Sequence, residues 1–303
     1  MNALSIDPAH VAQKIERFLK EHASALCREG AVLGVSGGID SALVATLAVR
    51  AFGPEQVLAL LLPERDSSAD SERDALVVIR QLGIRHKKID LAPMLSALGT
   101  YKRVPLHFLR VRKIKATVIR QQHDQHSRAL GELPFLAGLL GTRGLSRQRT
   151  LDAGQAYARA KHRVRLVTLY FHAELNNHMV LGTTNKSEAM SGFVVKWGDN
   201  VADVEPILPL YKTQVRELAR YLGVPETIIE KAPSPDLLPG ITDEYALGMS
   251  YDRLDQILSG LEQGHEPKAI ADDLQIGLAQ VGYVSELIRR SAHMRELPPM
   301  PTL

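Results

Sequence analysis

Cysteine is almost absent: the 303-residue chain has one, Cys27. That excludes an intrachain disulfide, a zinc ribbon and a CxxC redox couple. Cys27 falls late in an amphipathic helical pattern, which predicts a buried structural thiol. Long apolar runs are also missing. None reaches the roughly 18–20 residues a membrane-spanning helix needs. The N-terminal stretch MNALSIDPAHVAQKIERF carries charges where a signal peptide would have its apolar centre. Together these absences predict a soluble, cytoplasmic protein that makes no use of a membrane. Charge of one sign is scarce overall, at a net +3, which is too little to imply a nucleic-acid partner. The distribution is uneven, because residues 101–150 hold 11 Lys/Arg against 2 Asp/Glu. Even there, aromatic side chains for base stacking are few (Tyr101, Phe108, Phe135), which argues against RNA.

What is present is globular: 45% hydrophobic and 23% charged residues, enough for one large domain spanning 1–303 with a basic insertion at about 100–150. Val11, Ile15, Phe18, Leu19 and Leu26 recur at helical spacing, predicting a helix over 8–28 with Asp7-Pro8 as cap and first turn. AVLGV (31–35), QVLALLLP (56–63), IRHKKID (84–90) and HMVLGT (178–183) read as strands, the third near an edge because it is charged. Helices are expected over 40–51, 71–83, 151–176 and 212–223. The alternation of strand and helix predicts an α/β fold with a doubly wound parallel sheet. Residues 101–150 show no clean period apart from a short helix within 133–141, and 224–303 read as loops and short helices. His107, His123 and His126 lack the spacing of a metal cluster.

Between the first strand and its helix stands SGGIDS, residues 36–41. A glycine turn entering a helix N-terminus makes an anion site, since the first N–H groups have no internal partner and the dipole favours negative charge. Gly37 and Gly38 let the backbone approach phosphate oxygens, and Ser36 and Ser41 add hydroxyls. Asp40 would repel phosphate unless a divalent cation lies between them, as Mg²⁺ does. The loop therefore reads as a holder for the pyrophosphate end of Mg-ATP. It matches neither GxxxxGK[ST] nor GxGxxG.

SGGIDS resembles the PP-loop of the N-type ATP pyrophosphatases, which cleave ATP between the α and β phosphates; the single cysteine counts against a thiolating relative. Taken with LPERDSS (62–68), LGTTNKSE (181–188), GFVVKWGDNVAD (192–203), the EPILPLYKTQVRELARYLGVPETIIEKAPSPDL block and PGITDE, the chain is similar to the ammonia-dependent NAD synthetases. The resemblance implies a Rossmann-like sheet of the adenine nucleotide alpha-hydrolase type, with helices on both faces. It implies that Asp40 and Glu188 ligate Mg²⁺, and that Ser36, Gly37, Gly38 and Ser41 hold pyrophosphate with Lys212 and Ser234. Arg65 and Thr183 would lie near the adenosine of ATP. Arg163, Lys196, Asp199 and Asp203 would meet the second substrate, deamido-NAD. Its carboxylate would attack the α-phosphate, Lys212 would stabilise departing pyrophosphate, and ammonia would displace AMP, with Asp199 positioning or deprotonating the nitrogen. A homodimer is implied. The chain starts only about 30 residues ahead of the first strand, so no glutaminase is expected; the nitrogen would come as free ammonia or from a separate subunit.

The chain also departs from the family pattern. Where relatives carry Asn-x-x-Ala-Arg-x-Arg-Met, this chain reads RAKHRVRL (159–166), with Arg159 and His162 at the Asn and Ala positions. Met294 stands where relatives have lysine. The first two bear on the acceptor rather than on ATP. The alternatives are a ligase of this fold amidating another carboxylate, or a nucleotide-binding regulator without turnover; retention of Asp40, Glu188 and Lys212 together argues against the regulator.

Overall fold

The computed structural model describes residues 4–103, 112–145, 148–234 and 237–301. Its first half alternates as predicted: α1 (Pro8–Ala25), β1 (Gly30–Gly34), α2 (Ile39–Phe52), β2 (Val57–Leu61), α3 (Ala69–Leu82) and β3 (Arg85–Lys88). Asp7 caps α1 by accepting from the amides of Ala9 and His10 at 3.0 and 3.2 Å, and Pro8 sits in the first turn, where its missing N–H costs nothing. After α4 (Ala92–Ala97) and α5 (Thr100–Arg103) come α6 (Arg112–Leu130), α7 (Pro134–Ala137) and the long α8 (Gln148–Asn176). Then β4 (His178–Val180), α9 (Lys186–Ser191), α10 (Lys212–Tyr221), α11 (Glu226–Ile229), α12 (Asp243–Leu247), α13 (Tyr251–Glu262), α14 (Pro267–Asp273) and α15 (Leu278–Arg295) complete the chain.

The four strands pair in parallel in the order β3-β2-β1-β4. β3 is the edge, which its four exposed polar residues tolerate. Because successive side chains point to opposite faces, β1 and β2 divide by parity. Ala31, Leu33, Val57, Ala59 and Leu61 pack with α1, α2 and α10, while Val32, Leu58 and Leu60 pack with Ala173 and Leu169 of α8. Helices therefore cover both faces, the arrangement that keeps an all-parallel sheet out of water. The chain leaves β1 towards β2 and β3 on one side and returns as β4 on the other. That reversal opens a crevice beyond the carboxyl ends of β1 and β4.

Three expectations are corrected. Residues 112–130 form a helix of more than five turns, α6, within the segment read as aperiodic. Its polar run Gln121–Arg128 hides the period. Residues 224–303 hold two substantial helices, α13 and α15, whose Tyr251, Leu254, Leu258, Val281, Val284 and Leu287 build a second core with Leu247 and Ile270. Cys27 is exposed: α1 ends at Ala25 and Cys27 turns out with φ 52° ahead of β1, so its thiol leaves the helix's buried stripe. His107 and Phe108 lie outside the described residues.

Candidate active site

The crevice is a cavity of about 280 Å³ beyond β1 and β4. On one side lies the SGGIDS loop. Gly37 has φ 78°, and a Cβ there would collide with the carbonyl oxygen of Ser71, so the turn requires glycine at this position. The loop is braced from within. The Ser36 amide donates to Ser41 Oγ at 3.1 Å, Ser41 Oγ donates to Gly38 O at 3.0 Å, and the Gly38 amide donates to Ser36 Oγ at 3.2 Å. Gly38 is the N-cap of α2, so the unpaired amides of the first helical turn face the cavity side.

Opposite the loop, Asn185 caps α9 in a reciprocal box with Glu188 and donates from Nδ2 to Asp40 Oδ1 at 3.0 Å. Lys212 opens α10 and is buried. Its Nζ bonds Asp40 Oδ2 and lies 3.4 Å from Glu188 Oε1. Burial alone would lower the Lys212 ammonium, but Asp40 and Glu188 outweigh it and hold it above the ordinary lysine value. Burial pushes Glu188 up to about 8, against the pull of Lys212. Asp243 lines the same space and is pushed by burial to about 6; Tyr251 donates to its Oδ2 at 3.0 Å, while its Oδ1 has no hydrogen-bond partner. Three carboxylates thus share one lysine in a desolvated corner. Mg²⁺ takes one or two carboxylates and completes its shell with phosphate and water oxygens, so Asp40 and Glu188 suit it. Among the described residues no group of three or more metal-ligating side chains forms an all-protein cage.

The remaining sequence-predicted residues divide. Ser36, Gly38, Asp40, Ser41, Thr183, Glu188, Asp199, Lys212 and Ser234 line the cavity, and Gly37 shapes its loop. Arg65 does not line it: its guanidinium pairs with Asp66 at 3.1 Å and lies over the Tyr101 ring at 4.0 Å. Arg163 and Lys196 are also outside. Arg163 donates to the Lys196 carbonyl at 3.1 Å, and Lys196 Nζ donates to the carbonyl of His293. Asp203 accepts from the Val180 amide at 2.7 Å and from Tyr170 at 3.2 Å, beside the crevice rather than in it. His162, Arg165, Lys231 and Asp243 line the cavity without a role from the sequence. Lys231 pairs with Asp74 at 2.7 Å and reaches Gly37 O at 3.4 Å. Both Lys231 and Asp243 lie in stretches whose motifs pointed to the site, EKAPSPDL and PGITDE.

Glu205 sits beneath the loop after β4, where a Cβ on Gly182 would collide with its carboxylate. The Thr184 amide donates to Oε2 at 3.3 Å and Oε1 has no partner. Burial pushes Glu205 up to about 8. The folded state therefore holds a proton that the unfolded chain releases near pH 4.5, and stability is lost as pH rises from there through 8. Glu205→Gln is expected to flatten this fall, raising the melting temperature at pH 8.5 more than at pH 5. Equal shifts at both values in a thermal scan would contradict this.

The NAD synthase family model matches residues 11–118 and 145–298 and passes over the stretch between. An NH(3)-dependent NAD(+) synthetase of Coprothermobacter proteolyticus is 43% identical over 91% of this chain and 94% of its own length. One from Thermotoga neapolitana is 45% identical over 82% of this chain and 83% of its own. Among solved structures, NMN synthetase from Francisella tularensis superposes with a TM-score of 0.72 at 29% identity, covering 99% of this chain and 100% of that one. The NH3-dependent NAD synthetase of Campylobacter jejuni, solved with nitrate, gives 0.69 at 26%, covering 98% and 100%. With the crevice, its glycine loop and its carboxylate–lysine corner all in place, the chain belongs to the NAD synthase family.

Proposed function

We propose that the chain is a carbon–nitrogen ligase, an ammonia-dependent NAD synthetase. It uses ATP to convert the carboxylate of deamido-NAD into the amide of NAD, releasing AMP and pyrophosphate. The observation that carries this reading is the meeting of Asp40, Glu188 and Lys212 at the mouth of a glycine-loop anion site, in a chain whose curated relatives carry that activity over nearly their whole length.

The α2 amides with Ser36 and Ser41 bind the polyphosphate, and Lys212 takes the charge that grows on departing pyrophosphate. Asp40 and Glu188 would hold Mg²⁺, which when bound supplies neutralisation of the polyphosphate. Thr183 and Ser234 face the nucleotide. Asp199 is fixed by the Val195 amide, which donates to Oδ1 at 2.6 Å, and by Thr184 Oγ1, which donates to its carbonyl at 2.8 Å. That rigidity suits a residue that positions groups at the acyl carbon. Arg163, Lys196 and Asp203 lie on the flank beside α8, where a dinucleotide reaching out of the crevice would meet them. Arg65 packs under the basic segment and would influence adenosine only through the loop that carries it.

A homodimer is supported by α8. Val167, Phe171 and Leu175, four residues apart, form one apolar stripe left 69%, 60% and 64% exposed. Phe171→Glu is expected to give a folded monomer in sedimentation at concentrations where the parent is dimeric; an unchanged dimer would move the interface elsewhere. Ammonia arrives free or from a separate subunit. No helix among the described residues is long and apolar enough to cross a membrane, and a cytoplasmic enzyme fits that.

The decisive experiment follows pyrophosphate release from Mg-ATP and ammonium, with and without deamido-NAD, beside a parallel run with deamido-NMN. Release with NAD formation only when deamido-NAD is present supports the reading. ATP binding without release, or turnover confined to deamido-NMN, would overturn the acceptor and leave the ATP site standing.

A further inference from the structure

A second cavity of about 180 Å³ adjoins the first. The two share His162, Phe193 and Asp199 in their walls, so they meet at those side chains. One wall of the second cavity is Pro134, Phe135, Gly138 and Leu139, from the stretch that the family model passes over. Arg159, His162 and Met294, three of the departures from the family pattern, line it as well. Changes distant in sequence thus converge on one space.

At the junction His162 Nδ1 lies 3.3 Å from Asp199 Oδ2. A proton carried on Nδ1 would face that carboxylate, and Nε2 would then be left as the acceptor. Gly198 permits this closeness, because a Cβ there would stand 3.0 Å from that of His162. We propose that the second cavity delivers ammonia to the acyl carbon, and that His162, oriented by Asp199, takes the proton the nitrogen must lose as it attacks.

This rests on the amide-forming reading above. The nitrogen lone pair forms the C–N bond, the acyl C–O bond to phosphate breaks, and AMP leaves with those electrons. Nε2 receives one proton from nitrogen and passes it to solvent. Away from the Asp199 end the lining favours neutral ammonia over ammonium: Phe135, Leu139, Val194 and Met294 offer a cation no compensation, and Arg159 repels it. Charge around the imidazole is consistent with a neutral base. Burial lowers the His162 pKa, Arg165 and Lys161 lower it further, and only Asp199 opposes them. Asp199 then acts as a positioning residue rather than as the base itself.

The test separates the two halves of the reaction in the full-length enzyme. His162→Ala should leave deamido-NAD-dependent exchange of pyrophosphate into ATP within about threefold of the parent. It should lower kcat/KM for ammonia by about 10²-fold or more, the range of general-base catalysis. Added imidazole should restore part of that loss. Ala158→Phe, which narrows the second cavity, should raise KM for ammonia and leave KM for ATP alone. Equal loss of exchange and amidation in His162→Ala, or no loss of amidation, would overturn the base. An unchanged ammonia KM in Ala158→Phe would overturn the route. A parent enzyme with neither exchange nor amidation would overturn the ligase reading itself.

Discussion

Lys212→Met is expected to lower deamido-NAD-dependent pyrophosphate release by about 10²–10³-fold, the size of effect seen when one charge-stabilising donor is removed from a transition state. Lys212 is the buried cation among Asp40, Glu188 and Asp243 in the wall of the crevice. In the resting enzyme it holds two carboxylates together; in the reaction it faces the leaving phosphates. Methionine fills the same volume without the charge, so a loss of rate is not a loss of packing. The substitution also leaves buried carboxylates unpaired, which costs about 3–5 kcal/mol of stability. The rate must therefore be taken per folded molecule, with the folded fraction read by circular dichroism. Lys212→Arg should not rescue it, because the planar fork demands more room than a buried ammonium occupies. A folded Lys212→Met enzyme within threefold of the parent would remove Lys212 from the chemistry.

Much of this site was legible because its parts are local. SGGIDS announces a strand end, a turn and a helix start within six residues, and each residue's chemistry is tied to its place in the loop. The parity of AVLGV and VLALL similarly carries both faces of the sheet, and the charges of RHKK carry its edge. Legibility ended where function depends on pairing across the chain. Lys231 and Asp243 stand in stretches already marked as part of the site, but their roles appear only once α11 and α12 are folded against the glycine loop. Arg65 shows the opposite failure, since a residue in a ligand-bearing loop can turn away from the ligand. The two C-terminal helices were missed because Gly260 and Ser291 interrupt their apolar stripes, although close packing there favours small residues.

Lys161→Met is expected to be the most destabilising of these substitutions on α8, lowering stability by about 3–5 kcal/mol. For a chain of this size that corresponds to a fall in Tm of roughly 5–8 °C. In RAKHRVR this lysine reads as one more cation on a solvated helix, yet it is fully buried. Its Nζ donates to Glu64 Oε1 at 2.8 Å and to the Leu237 carbonyl at 2.7 Å, and lies 3.7 Å from Asp66 Oδ2. Tyr157, one turn earlier, donates to Asp66, while Lys115 of α6 reaches Asp66 at 3.2 Å. Burial would raise Asp66, but its bonds from Arg65 and Tyr157 and the charge of Lys161 bring it down to about 2. The network ties α6 to the loop after β2, to α8 and to the segment before α12, and the last three contribute residues to the crevice wall. Removing the lysine takes from Glu64 the cation it pairs with in a dry interior, while Asp66 keeps Arg65, Tyr157 and Lys115. The double substitution Lys161→Met/Glu64→Gln should recover part of the loss, because neutralising one stranded carboxylate removes part of the desolvation cost. If the single variant melts within a degree of the parent, the network does not hold these elements together.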